Sequence, residues 1–135
     1  KPNLLFVHLP DPDTAGHSSG WMSASYGQAV RAADAALADL LAAAETTYGA
    51  GNYSVLVTAD HGGHGRGHGT KDPNDVTIPW IAWGRGVNPG VMSSVINTYD
   101  TAPTVLWLLG VEKPTAWDGV PVVQAFHDSE PVAAD

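Results

Sequence analysis

Two short stretches of this chain concentrate side chains that bind divalent cations. The first reads Pro12-Asp13-Thr14-Ala15-Gly16-His17. The second reads Thr58-Ala59-Asp60-His61-Gly62-Gly63-His64-Gly65-Arg66-Gly67-His68-Gly69-Thr70. Five of the six histidines (His8, His17, His61, His64, His68) lie in or beside these stretches, and there is no cysteine. With thiolates excluded, carboxylate and imidazole are the ligands left for a borderline or hard divalent ion. An aspartate and a histidine four residues apart can turn toward one point, and Asp60-His61 is flanked by glycines that let backbone bend closely around an ion. Each piece alone is weak: an isolated Asp-x-x-Gly-His occurs in many loops, and a Gly/His-rich stretch is also the composition of a flexible surface loop. Asp11 rivals Asp13, and His64 rivals His68.

The elements that must position these stretches follow from periodicity. Leu4 to Leu9 is apolar, bounded by Pro2 and Pro10, and reads as a buried strand. Pro10 to Gly20 reads as a loop. Over Ser23 to Thr46, Tyr26, Val30, Ala33, Leu37, Leu40, Leu41 and Ala44 recur at three- and four-residue steps, a helical stripe in an alanine-rich segment that Gly49 and Gly51 end. Ser54 to Ala59 is a β-branched strand, and strand–helix–strand predicts a right-handed crossover with parallel strands. Asp60 to Val76 is then a loop at that strand's carboxyl end. Ile78 to Trp83 reads as a third strand, with Pro79 suited to an edge, and Ser94 to Thr98 as a short fourth. Asp100 is placed as the N-cap of a helix over Thr101 to Leu109, with Pro103 in its first turn and Gly110 at its end. A short strand is expected over Val120 to Val123, and fraying from Asp128. The expected fold is α/β: a layered sheet of mainly parallel strands with helices on its faces, residues 1–135 forming one domain. Open sheets of this kind place their sites beyond the carboxyl ends of the strands.

Composition narrows the function. A formal charge of −8 argues against a nucleic-acid surface. No apolar run reaches the roughly 18–20 residues of a membrane span. No targeting signal is visible, so no compartment is assigned. Lys1-Pro2-Asn3 runs at once into an apolar segment, which reads as a cut through a longer protein.

The order Asp13-x-x-Gly16-His17, long helix, strand, Thr58-Ala59-Asp60-His61-Gly62, His68-Gly69, then Ile78-Pro79-Trp80 resembles the second half of the alkaline phosphatase superfamily. It is most similar to the type I phosphodiesterase and nucleotide pyrophosphatase branch. The segment from Asp100 to Val111, followed by Asp118-Gly119, resembles the closing segment shared with sulfatases and phosphomutases. The resemblance implies an alkaline phosphatase-like partial domain and a metal-dependent hydrolase of phosphate esters, working through two divalent ions, zinc first and manganese second. Asp13, His17 and His68 would hold one ion; Asp60 and His61 would hold the other. A sulfatase- or phosphomutase-type member, or a non-catalytic metal-binding domain, is the alternative. The resemblance also implies partners: a small phosphate ester as substrate, and an N-terminal half carrying the Thr or Ser nucleophile and a further Asp. No catalytic nucleophile is assigned within this chain, since Ser18, Ser19 and Thr70 do not stand in the family's nucleophile position. Lys71 and Arg66 are read as solvated charges, His8 as a packed or supporting histidine, and His127 as exposed. Most of the tryptophans are read as packing; Trp21, directly after the first stretch, could wall the site.

Overall fold

The computed structural model describes residues 1–127 and divides into two compact units. The first comprises Lys1–Ala50 and Ala59–Pro79; the second comprises Gly51–Thr58 and the chain from Trp80 onward.

In the first unit, Asp11–Ser19 forms helix α1, where a loop is expected from composition. Pro12 is tolerated because the first turn of a helix has no use for its missing N–H. Asp11 and Asp13 lie in that first turn, where the helix dipole favours negative charge, and His17 lies in the last turn. Gly20, at φ 99°, stops the helix with its N–H on the Gly16 carbonyl. The helical winding matters for the chemistry, because residues four apart share a face. Asp13 and His17 therefore project together without any special loop geometry.

Helix α2 spans Ala24–Tyr48 and begins at Ser23, whose hydroxyl accepts the Tyr26 N–H at 3.2 Å. It ends at Gly49, at φ 88°. Tyr26, Ala33, Leu37, Leu40, Leu41 and Ala44 form the half-buried stripe that the periodicity predicts, while Val30 is exposed. Helices α1 and α2 pack against each other. Leu4 to Leu9 belongs to no strand, and Leu5 and Phe6 are 67% and 86% exposed. A strand exists only through a ladder partner, and this segment finds none among the described residues.

The second unit holds strands β1 (Ser54–Thr58) and β2 (Trp80–Gly84), paired antiparallel from Ser54 opposite Gly84 to Thr58 opposite Trp80. The parallel layered sheet expected from sequence is thus replaced, among the described residues, by a two-stranded antiparallel one. The crossover reading needed Leu4–Leu9 as the parallel partner; β1 pairs instead with the next strand along the chain. Trp80 and Ala82 join a core of Val122, Ala125 and Phe126, while Ile81 and Trp83 face outward.

A short helix α3 (Pro73–Val76) closes the Asp60 to Val76 segment expected as a loop, and helix α4 (Thr101–Leu108) follows a 3-10 turn at Thr98–Asp100, where the end of an additional strand is expected. Asp100 does not cap α4 with its side chain. Its buried carboxylate accepts the Asn97 and Val120 N–H groups, each at 2.9 Å, and so joins two loops. Thr104, fully buried, donates to the Asp100 carbonyl at 2.7 Å and accepts from Val122 N–H at 2.9 Å. That second bond, and a 3-10 turn at Val123–Ala125, stand where a strand over Val120 to Val123 is expected. The fraying expected from Asp128 lies outside the described residues. No helix among the described residues is long and apolar enough to cross a membrane.

Candidate metal centre

The centre lies wholly within the first unit. From α1 come Asp13 and His17; from the glycine-rich segment after Ala59 come His61 and His68. Asp13 Oδ1 is 3.5 Å from His17 Nε2, 3.8 Å from His61 Nε2 and 3.8 Å from His68 Nε2. His17 Nε2 and His68 Nε2 are 3.2 Å apart. These separations bracket the roughly 3.3 Å edge of a tetrahedron of donors about 2.0–2.1 Å from one zinc ion. Asp13, His17 and His68 offer ligand atoms all within 4.8 Å of one another.

The protonation pattern suits a cation. His17 Nδ1 lies 3.0 Å from the Arg66 carbonyl, and His61 Nδ1 lies 2.8 Å from the Gly62 carbonyl. A carbonyl can only accept, so each Nδ1 carries a proton, and in the neutral ring each Nε2 presents a lone pair. Carbonyl partners of this kind orient metal-binding imidazoles. Asp13 Oδ1 is a buried oxygen without a hydrogen-bond partner, although its residue is half exposed, because the imidazoles cover it. A buried polar atom left bare is costly. A carboxylate oxygen ringed by three imidazole nitrogens, two of them held as acceptors, fits a divalent cation.

Asp60 stands at the margin. Its Oδ2 is 3.6 Å from His61 Nε2, its Oδ1 accepts the His61 N–H at 3.2 Å, and its side chain is 83% exposed. His61 Nε2 thus lies within 3.8 Å of both carboxylates. His64 is turned away from the cluster: its Nδ1 bonds Asp75 Oδ1 at 2.8 Å. Asp11 lies on α1 but contributes no atom to the cluster. Arg66 takes part only through its carbonyl, and its side chain and Lys71 are exposed. His127 is exposed, and His8, read above as packed or supporting, is exposed as well, because the segment carrying it is not covered.

Trp21 backs the cluster. Its ring meets His17 edge-on at 5.1 Å and His68 at 5.8 Å between centroids. Two glycines make room for it. A Cβ on Gly16 would lie 2.7 Å from the indole, and one on Gly63 would lie 2.2 Å from it. Trp21 N–H also bonds the Gly65 carbonyl at 2.8 Å. The tryptophan is therefore a wedge joining α1 to the glycine-rich segment. Composition hides this role, since a glycine that admits an indole looks like any loop glycine. The partnership of Asp75 with His64 also escapes the sequence reading; its one outward sign is the cap-forming Asp72-Pro73 that opens the short helix α3 (Pro73–Val76).

Comparison with known proteins places the sequence among phosphoryl-transfer enzymes of one superfamily. Residues 1–66 match the family model for type I phosphodiesterase / nucleotide pyrophosphatase. GPI ethanolamine phosphate transferase 1 of Saccharomyces cerevisiae is 31% identical over 132 residues, covering 83% of this chain and 14% of that protein. The Candida glabrata protein of the same name is 39% identical over 87 residues, 64% of this chain and 9% of its own. The chain belongs to the alkaline phosphatase superfamily. Another relative is the 2,3-bisphosphoglycerate-independent phosphoglycerate mutase of Haloquadratum walsbyi, 32% identical over 129 residues, 91% of this chain and 24% of that protein. The chain thus spans between 9% and 24% of the length of these superfamily relatives. No solved structure matches it.

Proposed function

We propose that this chain is the metal-binding part of a two-metal enzyme that cleaves phosphate esters, with hydrolysis of a phosphodiester as its reaction. The observation that carries the reading is Asp13 Oδ1, unpartnered and ringed by the Nε2 atoms of His17, His61 and His68. Asp13, His17 and His68 would hold one ion, and Asp60 with His61 the other. Zinc suits this nitrogen-rich set first and manganese second. Two such ions, when bound, would polarise the ester phosphorus and stabilise the attacking and leaving oxygens.

The chain's own residues prepare that arrangement. The Arg66 and Gly62 carbonyls hold two imidazoles in the tautomer that presents Nε2. Trp21 braces the His17 and His68 rings from behind and limits their rotation. Negative charge from Asp13 and Asp60 offsets the cations. The nucleophile is proposed to come from sequence outside these 135 residues.

A second reading is favoured by the names of the relatives, which include a transferase and a mutase. In that case the phosphoryl or phosphoester group passes to an alcohol instead of water. One experiment separates the readings. The full-length protein, loaded with zinc, is given chromogenic phosphate diesters, phosphate monoesters and sulfate esters, with and without a primary alcohol as acceptor. Diester turnover that releases free acid supports the proposal. Alcohol capture as the main product supports transfer, and preference for the sulfate ester points to a sulfatase. Equal turnover with zinc removed by chelation overturns the metal reading altogether.

A further inference from the structure

Asp75 lies outside the metal cluster, yet it is the most heavily bonded carboxylate in the first unit. Its side chain is 1% exposed. Oδ1 accepts from His64 Nδ1 at 2.8 Å; Oδ2 accepts from the Thr70 N–H at 2.9 Å and the Thr70 hydroxyl at 2.8 Å. The backbone beside it is tied to the same segment. The Asp75 carbonyl takes the Gly62 N–H at 2.7 Å, and the Asn74 carbonyl takes the Gly63 N–H at 2.8 Å. At Gly62 a Cβ would lie 2.0 Å from the Asn74 oxygen, so only glycine permits the approach.

These bonds land at chosen points. Residues 62 and 63 follow the ligand His61. Residues 64 and 70 bracket the ligand His68, and a backbone bridge between His64 and Gly67 tightens the turn within that bracket. Arg66, whose carbonyl orients His17, lies inside the same turn. A segment with glycines at 62, 63, 65, 67 and 69 has much backbone entropy to lose on ordering. Something must hold its shape before a cation arrives.

We propose that Asp75 is a positioning residue, a latch that uses His64 and Thr70 as its two catches to hold the glycine-rich segment in its metal-binding shape. His64 on this view is a catch and not a ligand. The inference rests on the metal reading of Asp13, His17, His61 and His68. The electrostatics agree with the geometry. The hydrogen bond to His64 lowers the Asp75 carboxyl to about 2, with Thr70 assisting against the cost of burial. The same hydrogen bond raises the His64 imidazole.

The test measures zinc affinity of the full-length protein by competition with a chelating dye, with zinc alone as the probe. Asp75→Asn and His64→Ala should each weaken zinc binding by about 10- to 100-fold, the usual effect of removing a partner that orients metal ligands. His64→Asn, whose amide can donate from near the Nδ1 position, should recover most of the affinity lost in His64→Ala. A purely space-filling role would show no such rescue. Amide exchange at Thr70 should quicken in Asp75→Asn. Because His64→Asn keeps a hydrogen-bond donor for the buried Asp75 carboxylate, that variant keeps the fold even if Asp75→Asn does not. Wild-type zinc binding with His64→Ala within threefold of it would overturn the latch alone. Loss of one bound zinc in His64→Ala, without rescue by asparagine, would make His64 a ligand and also overturn it. Absence of zinc binding in the unaltered protein would overturn the metal reading and the latch together.

Discussion

Replacing Gly63 by alanine tests whether the Trp21 wedge sets the histidine geometry. Gly63 does not have a left-handed backbone conformation, so alanine meets no dihedral penalty there and the effect isolates sterics. The new methyl carbon would lie 2.2 Å from Trp21 Cε2, 2.5 Å from Cδ2 and 2.6 Å from Nε1. Normal contact is at least about 3.5 Å, so the indole or the backbone must yield by about 1.3 Å. Neither side is free. Gly63 N–H is bonded to the Asn74 carbonyl and Trp21 N–H to the Gly65 carbonyl, each at 2.8 Å. Overpacking of this kind costs about 1–3 kcal/mol. An indole displaced by that distance also pushes the His17 and His68 rings it supports, whereas a working metal site tolerates about 0.2 Å. The expected result is a lower melting temperature without metal, together with a fall of at least about tenfold in zinc affinity, which is about 1.4 kcal/mol. Both are read on the same protein, by calorimetry and by dye competition. The double variant Gly63→Ala/Trp21→Phe should be less impaired than the two single effects combined, because the smaller ring vacates the overlap. Unchanged melting and unchanged zinc affinity in Gly63→Ala would refute the wedge argument.

Two other outcomes follow from the same geometry. His17→Ala should abolish binding at the site it forms with Asp13 and His68, so that the zinc-to-protein ratio measured by mass spectrometry falls by one; an unchanged ratio would remove His17 from the ligand set. The His64–Asp75 pair should also leave a signature in the pH dependence of stability measured in chelator. His64 is raised above 6.5, so its contribution is complete below that pH and is lost as pH rises through the elevated value. Asp75 is lowered from 3.8 to about 2, so its contribution is present above pH 3.8 and is lost as pH falls toward 2. The melting difference between wild type and His64→Ala should therefore be widest between these limits and shrink on either side. The charge of Asp72 adds to the elevation, so the difference persists above pH 6.5. A difference constant from pH 3 to pH 9 would show that the pair is not ionic.

Some of this protein was legible from residue types and spacing. The 3.6-residue stripe from Tyr26 to Ala44 specified α2, and Ser23 and Gly49 marked its ends, because helix period and caps are local properties. The absence of cysteine limited the ligands to imidazole and carboxylate, and the order of motifs from Asp13 to Ile78 pointed to the superfamily. Other features were decided only by distant contacts. Pro10 to Gly20 reads as a loop because Pro, Asp, Gly and Ser crowd it; the structure winds Asp11–Ser19 into a helix, with Pro12 in the first turn and Gly16 as the seat of an indole. Strand direction depended on which partner β1 found, and no segment records its own partner. His64 and His68 share the same local surroundings of glycine, and a buried carboxylate at Asp75 and an oxygen at Asp13 pull them apart. Backbone period and side-chain chemistry act within a few residues along the chain, whereas pairing, wedging and ligand convergence depend on distances in space that sequence spacing does not contain.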